Sequence, residues 1–308
     1  MIVGQNKLKK QVNRIFKIFN KSKGEIKPHF FLTGATGTGK SFVINTLSKR
    51  HGIDFIKING AALTKEGTSG NSVSKALSPL LTKTKIGKPI LIFVDEFDKL
   101  LISGNTNSEL AHETTNGVQN EFLTLLENDK ASVFGEYGKY LDVDVSKCLF
   151  CFAGAFNGQE NIKQRDLLSM GVKTEFLGRV NLIYNTMKLS LDTLYEILNN
   201  APLLDAYLII FDSNKTSVIN DLKPIIKGYY HKNIIGARMV NSIIHKYFIE
   251  GIDFLKEELA EQIHYVDIDT DINTINTIDT GKLDYLENDL QLQHEKNFID
   301  EINKDITI

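Results

Sequence analysis

The sequence predicts an α/β fold in which a central parallel sheet is flanked by helices, followed by a small, mainly helical domain. Three observations carry this prediction. Short apolar strands alternate with amphipathic helices along the first part of the chain, a glycine-rich loop joins one strand directly to a helix, and beyond about residue 188 strands give way to helices. The predicted domains are 1–188, 189–269 and a polar, acidic extension over 270–308.

In KLKKQVNRIFKIFN, residues Leu8, Val12, Ile15, Phe16 and Phe19 recur at helical spacing, so an amphipathic helix opens the fold. HFFLTG is a short apolar strand, SFVINTLSKRHG a helix closed by Gly52, and FIKING the next strand. PILIFVDEF is apolar enough to be buried on both faces. Residues 103–117, rich in Ser, Asn, Thr and Gly, predict an exposed loop before the helix VQNEFLTLLEN, and KCLFCFAGAF predicts a buried strand. LDTLYEILNN, INDLKPIIKGYY and MVNSIIHKYFIEGIDFL predict the helices of the second domain. The extension ends in a thin apolar stripe dominated by acidic residues, which predicts a solvated tail rather than a docking helix.

A chain of 308 residues, 42% hydrophobic and 24% charged, can bury a substantial core. Its net charge of -2 supplies no whole-chain basic field, which disfavours nucleic acid or an anionic membrane as main partner. No apolar run has membrane-spanning length and MIVGQNKLKK lacks the apolar core of a secretion signal, which predicts a cytoplasmic protein. Cys148 and Cys151 form a CxxC, but positions three apart on a strand face opposite sides, so they read as core thiols rather than a metal or redox pair. None of the seven histidines has ligand-like spacing; His112, His231 and His245 read as solvated or packed. The abundance of Lys, Asn and Ile suggests an AT-rich genome, such as that of a phage, in which case the compartment is the host cytoplasm.

Residues Gly34-Ala35-Thr36-Gly37-Thr38-Gly39-Lys40-Ser41 spell GxxxxGKS between a strand and a helix, the context a phosphate-cradling loop requires. Glycines let the backbone wrap around phosphates, the helix N-terminus offers its N–H groups, Lys40 can reach the β- and γ-phosphates, and Ser41 can coordinate Mg²⁺. Phe42 completes this predicted nucleotide-binding set. Downstream, Leu91 to Val94 lead into Asp95-Glu96, which places two carboxylates at the carboxyl end of a buried strand. Asp95 is expected to hold Mg²⁺ and Glu96 to polarise the attacking water, with ATP as the bound nucleotide.

With these motifs in place, residues 1–269 resemble the AAA+ module of the ClpX protein-unfoldase family. IVGQ at 2–5 resembles the family's adenine-side segment, which adds Val3 to the nucleotide-binding set. LTGATGTGKS and FVDEFDKL resemble its two Walker motifs, and GVQNEFLTLLEN with CFAGAFNG its next helix and strand. EFLGR matches the arginine-finger segment, so the resemblance gives Arg179 the role of reaching a neighbouring subunit's γ-phosphate. IGARMV matches the sensor-2 segment, so Arg238 is expected to contact nucleotide from the small domain of its own subunit. Asn157, just beyond the CFAGAF strand, is a candidate polar sensor or a turn former.

Three departures from the family are visible. The family's N-terminal zinc-binding domain has no counterpart in this sequence. Its aromatic-aliphatic pore loop is replaced by Thr68-Ser69 between Gly67 and Gly70, which offers little area for gripping a polypeptide. The stretch AFNGQENIKQRDLL is short where the family carries its ClpP-docking loop. The resemblance therefore implies a homo-oligomeric ATPase, a hexamer, that acts on protein substrates without ClpP and without a membrane. Two alternatives stand beside it: a nucleic-acid motor or loader using Lys65, Lys75, Lys83 and Lys85, and an ATP-dependent regulatory switch.

Overall fold

The computed structural model describes residues 2–64, 71–84, 87–101, 109–135 and 138–261. Thr68-Ser69, Lys65, Lys85 and the extension over 270–308 lie outside the described residues. The chain divides into two compact units, one over Ile2–Lys188 and the other beginning at Leu189. Among the described residues no helix is long and apolar enough to cross a membrane.

The large unit opens with α1 (Asn6–Lys21), which buries the five apolar positions predicted from spacing. β1 (Phe30–Thr33), α2 (Lys40–His51), β2 (Asp54–Asn59), the short helices α3 (Val73–Ala76) and α4 (Leu80–Lys83), and β3 (Ile90–Asp95) follow. Gly52 ends α2 in a left-handed conformation at φ 64, as its position beyond the last turn predicts. After α5 (Glu109–Glu127) come an antiparallel pair, β4 (Lys130–Phe134) and β5 (Tyr140–Asp144), and then β6 (Cys148–Gly154), α6 (Gln164–Ser169), α7 (Thr174–Arg179) and β7 (Leu182–Asn185).

The main sheet has strand order β2-β3-β6-β1-β7, every pairing parallel. Strand alternation sends residues to two separate cores. Phe30, Leu32, Leu91 and Phe93 meet α1 and α2 on one face. Phe31, Ile92, Val94 and Phe152 meet Val118 and Phe122 of α5 and Phe176 of α7 on the other. Cys148 lies in the second core and Cys151 in the first, so the CxxC thiols do face opposite sides of the sheet. Burial pushes the Cys148 thiol up to about 12 and raises Cys151 well above the ordinary value, which leaves both inert.

The expected loop over 103–117 is corrected over its second half. α5 begins at Glu109, so Gly117, Asn116 and His112 belong to a helix. Val118, Phe122 and Leu125 anchor its C-terminal half in the core, and a helix once nucleated extends backward at little cost, against the local propensity of Gly and Asn.

In the second unit, α8 (Leu191–Asn199), α9 (Pro202–Ile210), α10 (Lys215–Tyr229), α11 (Arg238–Ile249) and α12 (252–261) close around Leu194, Leu204, Leu222, Ile226, Val240, Ile244 and Leu255. Ser190 and Asn214 cap α8 and α10 through their side chains. The helix expected over MVNSIIHKYFIEGIDFL is divided, because Gly251 takes φ 95.

His29, just before β1, accepts the Phe150 N–H on Nδ1 at 3.0 Å. Burial, reinforced by Lys27, holds its pKa down at about 4. The unfolded chain takes up this proton near pH 6.5 and the folded chain only near 4. Stability present above pH 6.5 is therefore lost as the pH falls through that window, by on the order of 3 kcal/mol. Denaturant unfolding at pH 7.5 and 4.5 should show this loss in the parent and a smaller one in His29→Gln; equal losses in both would remove His29 as its source.

Candidate nucleotide site

The carboxyl ends of β1, β3 and β6 are neighbours in the sheet, and at this edge the predicted site residues of the large unit's motifs assemble. Between β1 and α2, Gly34, Gly37 and Gly39 take φ values of 132, 69 and 91, which side chains rarely adopt. Gly34 is also required by space, since a Cβ there would lie 2.0 Å from Thr186 Oγ1. Ala35, Thr36 and Thr38 complete the loop. No side chain caps α2, so its first N–H groups point into the loop as anion donors.

Lys40 begins α2 and curls over the loop, its ammonium donating to the Gly34 and Ala35 carbonyls. Ser41 Oγ donates to Asp95 Oδ2 at 2.9 Å, which joins the two motifs directly. The other Asp95 oxygen accepts the Glu96 N–H at 3.1 Å. The hydroxyl and carboxylate are hard oxygen donors side by side at a helix N-terminus, a donor set that fits Mg²⁺. Glu96 is exposed at the strand end with φ 55. Beneath it Gly60 packs so closely that a Cβ would lie 2.9 Å from the Asp95 and Glu96 carbonyl oxygens.

Further side-chain contacts hold this edge together. Asp98, in the turn after β3, accepts the Ala155 and Phe156 N–H groups at 3.2 Å each. It thereby fixes the end of β6 and the exposed Asn157, whose φ is 56. Thr38 Oγ1 and Thr186 Oγ1 are 2.8 Å apart, and the Thr186 N–H and hydroxyl both donate to the Thr33 carbonyl. Gln5 is buried and ties three segments together: its amide donates to the Thr38 and Met187 carbonyls and accepts the Met187 N–H. Lys57 on β2 reaches Asp95 Oδ2 at 2.7 Å. The IVGQ and FVDEFDKL strings mark the segments of Gln5 and Asp98, but Thr186 and Lys57 carry no sequence signal, because their partners are brought to them by the fold.

The remaining predicted residues are dispersed. Val3 is half-buried just before α1, and Phe42 in the first turn of α2 is 56% exposed. Arg179, the last residue of α7, pairs through Nη2 with Glu127 Oε1 at 3.0 Å, both side chains about half exposed. Arg238 is exposed at the start of α11, in the second unit.

Residues 30–169 match the AAA family, the ATPase family associated with various cellular activities. The chain is 25% identical over 270 residues to the ATP-dependent Clp protease ATP-binding subunit ClpX of Porphyromonas gingivalis, covering 73% of this chain and 66% of that relative. It is 24% identical over 296 residues to the ClpX subunit of Bacteroides thetaiotaomicron, covering 79% and 72%. The chain thus spans just under two thirds of the length of the first of these relatives. The P-loop α/β fold and the joined motifs agree with these similarities: residues 30–169 match the AAA family, and the wider chain is similar to ClpX subunits at 24–25% identity.

Proposed function

We propose that this chain is a motor subunit that hydrolyses ATP within a homo-oligomeric ring of six and uses the cycle to remodel or unfold proteins without ClpP. The observation that carries this reading is the Ser41–Asp95 hydrogen bond, which brings the phosphate loop and the strand-borne carboxylates to one point. In this reading the loop N–H groups and the α2 N-terminus receive the phosphates. Lys40 exchanges carbonyl partners for β- and γ-phosphate oxygens. Ser41 and Asp95 would hold Mg²⁺, which when bound neutralises phosphate charge. Glu96 orients the water and accepts its proton, Arg179 reaches in from the neighbouring subunit, and Arg238 and the Val3 segment contact the nucleotide.

Two observations support a protein substrate handled without the peptidase. The path from β6 to α6 contains a single short turn over Phe156–Gly158, which offers little chain for a docking loop. Lys75 lies over the Phe134 ring at 5.4 Å and Lys83 is 4.0 Å from Asp54, so both already have partners within the chain.

Lys40→Ala tests the loop. Loss of a charge-assisted contact to phosphate should weaken ATP binding about ten- to a hundredfold, read by fluorescent-nucleotide titration. Unaltered affinity would remove the loop from the reading. Turnover of the unaltered chain stimulated by unfolded protein supports the remodelling function, and stimulation by DNA alone would replace it with a nucleic-acid motor.

A further inference from the structure

Lys57 belongs to neither nucleotide motif, yet its ammonium lies 2.7 Å from Asp95 Oδ2, the same oxygen that accepts the Ser41 hydroxyl. Strand register explains the reach. Lys57 pairs with Phe93 in parallel, so its side chain leaves the sheet on the face that carries Phe55 and Phe93, and the next β3 residue on that face is Asp95. A lysine here has a plainer use, because β2 is a sheet edge and charge at an edge discourages strand addition. That use needs an ammonium in water. Here the Lys57 side chain is 51% exposed but its tip is committed to a carboxylate that is only 18% exposed.

We propose that Lys57 is an internal counter-cation for the metal-facing carboxylate, competing with Mg²⁺ for Asp95 and so setting the Mg²⁺ concentration at which the site loads its metal nucleotide. The inference rests on the reading of Ser41 and Asp95 as the metal-facing pair. An oxygen that holds an ammonium at hydrogen-bond distance cannot also face a divalent cation without bringing like charges together. Loading the metal form therefore requires Lys57 to swing away, which a flexible four-carbon stem on an edge strand permits. That displacement opposes the metal alone. Nucleotide without metal is held by the loop and Lys40 and does not compete for Asp95.

The test uses the whole chain carrying Glu96→Gln, so that nucleotide stays intact, with and without Lys57→Met. Binding of a fluorescent ATP analogue is titrated with MgCl₂ and repeated in EDTA. Lys57→Met should lower the half-saturating Mg²⁺ concentration about two- to fivefold, the scale of a solvent-exposed ion pair, and leave binding in EDTA unchanged. Lys57→Arg should stay near the parent, and Lys57→Gln repeats the neutral substitution in case Lys57→Met fails to fold. A folded neutral variant whose Mg²⁺ requirement is unchanged or higher overturns the inference and leaves the site reading intact. A parent that binds the analogue with no response to Mg²⁺ overturns the reading of Ser41 and Asp95, and the inference with it.

Discussion

Arg179→Ala is expected to lower ATP turnover by about 10³- to 10⁵-fold, the scale of an arginine supplied in trans to a phosphoryl-transfer site. The structure makes this a clean test. Arg179 ends α7 and pairs with the half-exposed Glu127 at 3.0 Å, an ion pair of a kind that contributes only about 0.2–1 kcal/mol to stability. The variant should therefore fold and bind nucleotide as the parent does while failing to hydrolyse it. Steady-state turnover and thermal unfolding measured on the same preparation separate the two effects. A fall in turnover matched by a fall in stability would mean that Arg179 serves α5 and α7 and no neighbouring site.

Glu96→Gln should reduce turnover by about 10²- to 10⁴-fold, the usual share of a positioned general base, while nucleotide binding persists. Glutamine keeps the size of the side chain and leaves the backbone at φ 55 undisturbed, so neither the close approach of Gly60 nor the Asp95 contacts need change. What disappears is the carboxylate that can accept a proton. Turnover near the parent rate with tight binding would move the base elsewhere, with Asp98 among the other polar groups on that sheet edge.

Much of this arrangement is legible in the sequence because the residues that build it are constrained locally. Gly34, Gly37 and Gly39 stand at positive φ, a requirement visible as glycine spacing before a helix. The apolar run into Asp95-Glu96 is visible because a strand covered on both faces has no polar alternation. The five buried positions of α1 are legible for the same local reason. β7 is not: its four residues are all half-buried, so neither a continuous apolar run nor an alternation marks it. α9 escapes notice because Ile209 and Ile210 are 82% and 73% exposed, which blurs any helical period. The contacts of Lys57, Asp98 and Thr186 are hidden for another reason, since each acts on a partner from a separate element and no local pattern encodes that meeting.

Steady-state ATP turnover against protein concentration, for the parent, Arg179→Ala, Glu96→Gln and a one-to-one mixture of the two variants, decides whether neighbouring subunits share a site. In a ring with shared sites, a Glu96→Gln subunit can lend its Arg179 to the intact Glu96 of an Arg179→Ala neighbour. Such a ring predicts parent activity that rises steeply with concentration, two nearly inactive variants, and a mixture that regains turnover neither shows alone. Turnover by Arg179→Ala at the parent rate, independent of concentration, would contradict it.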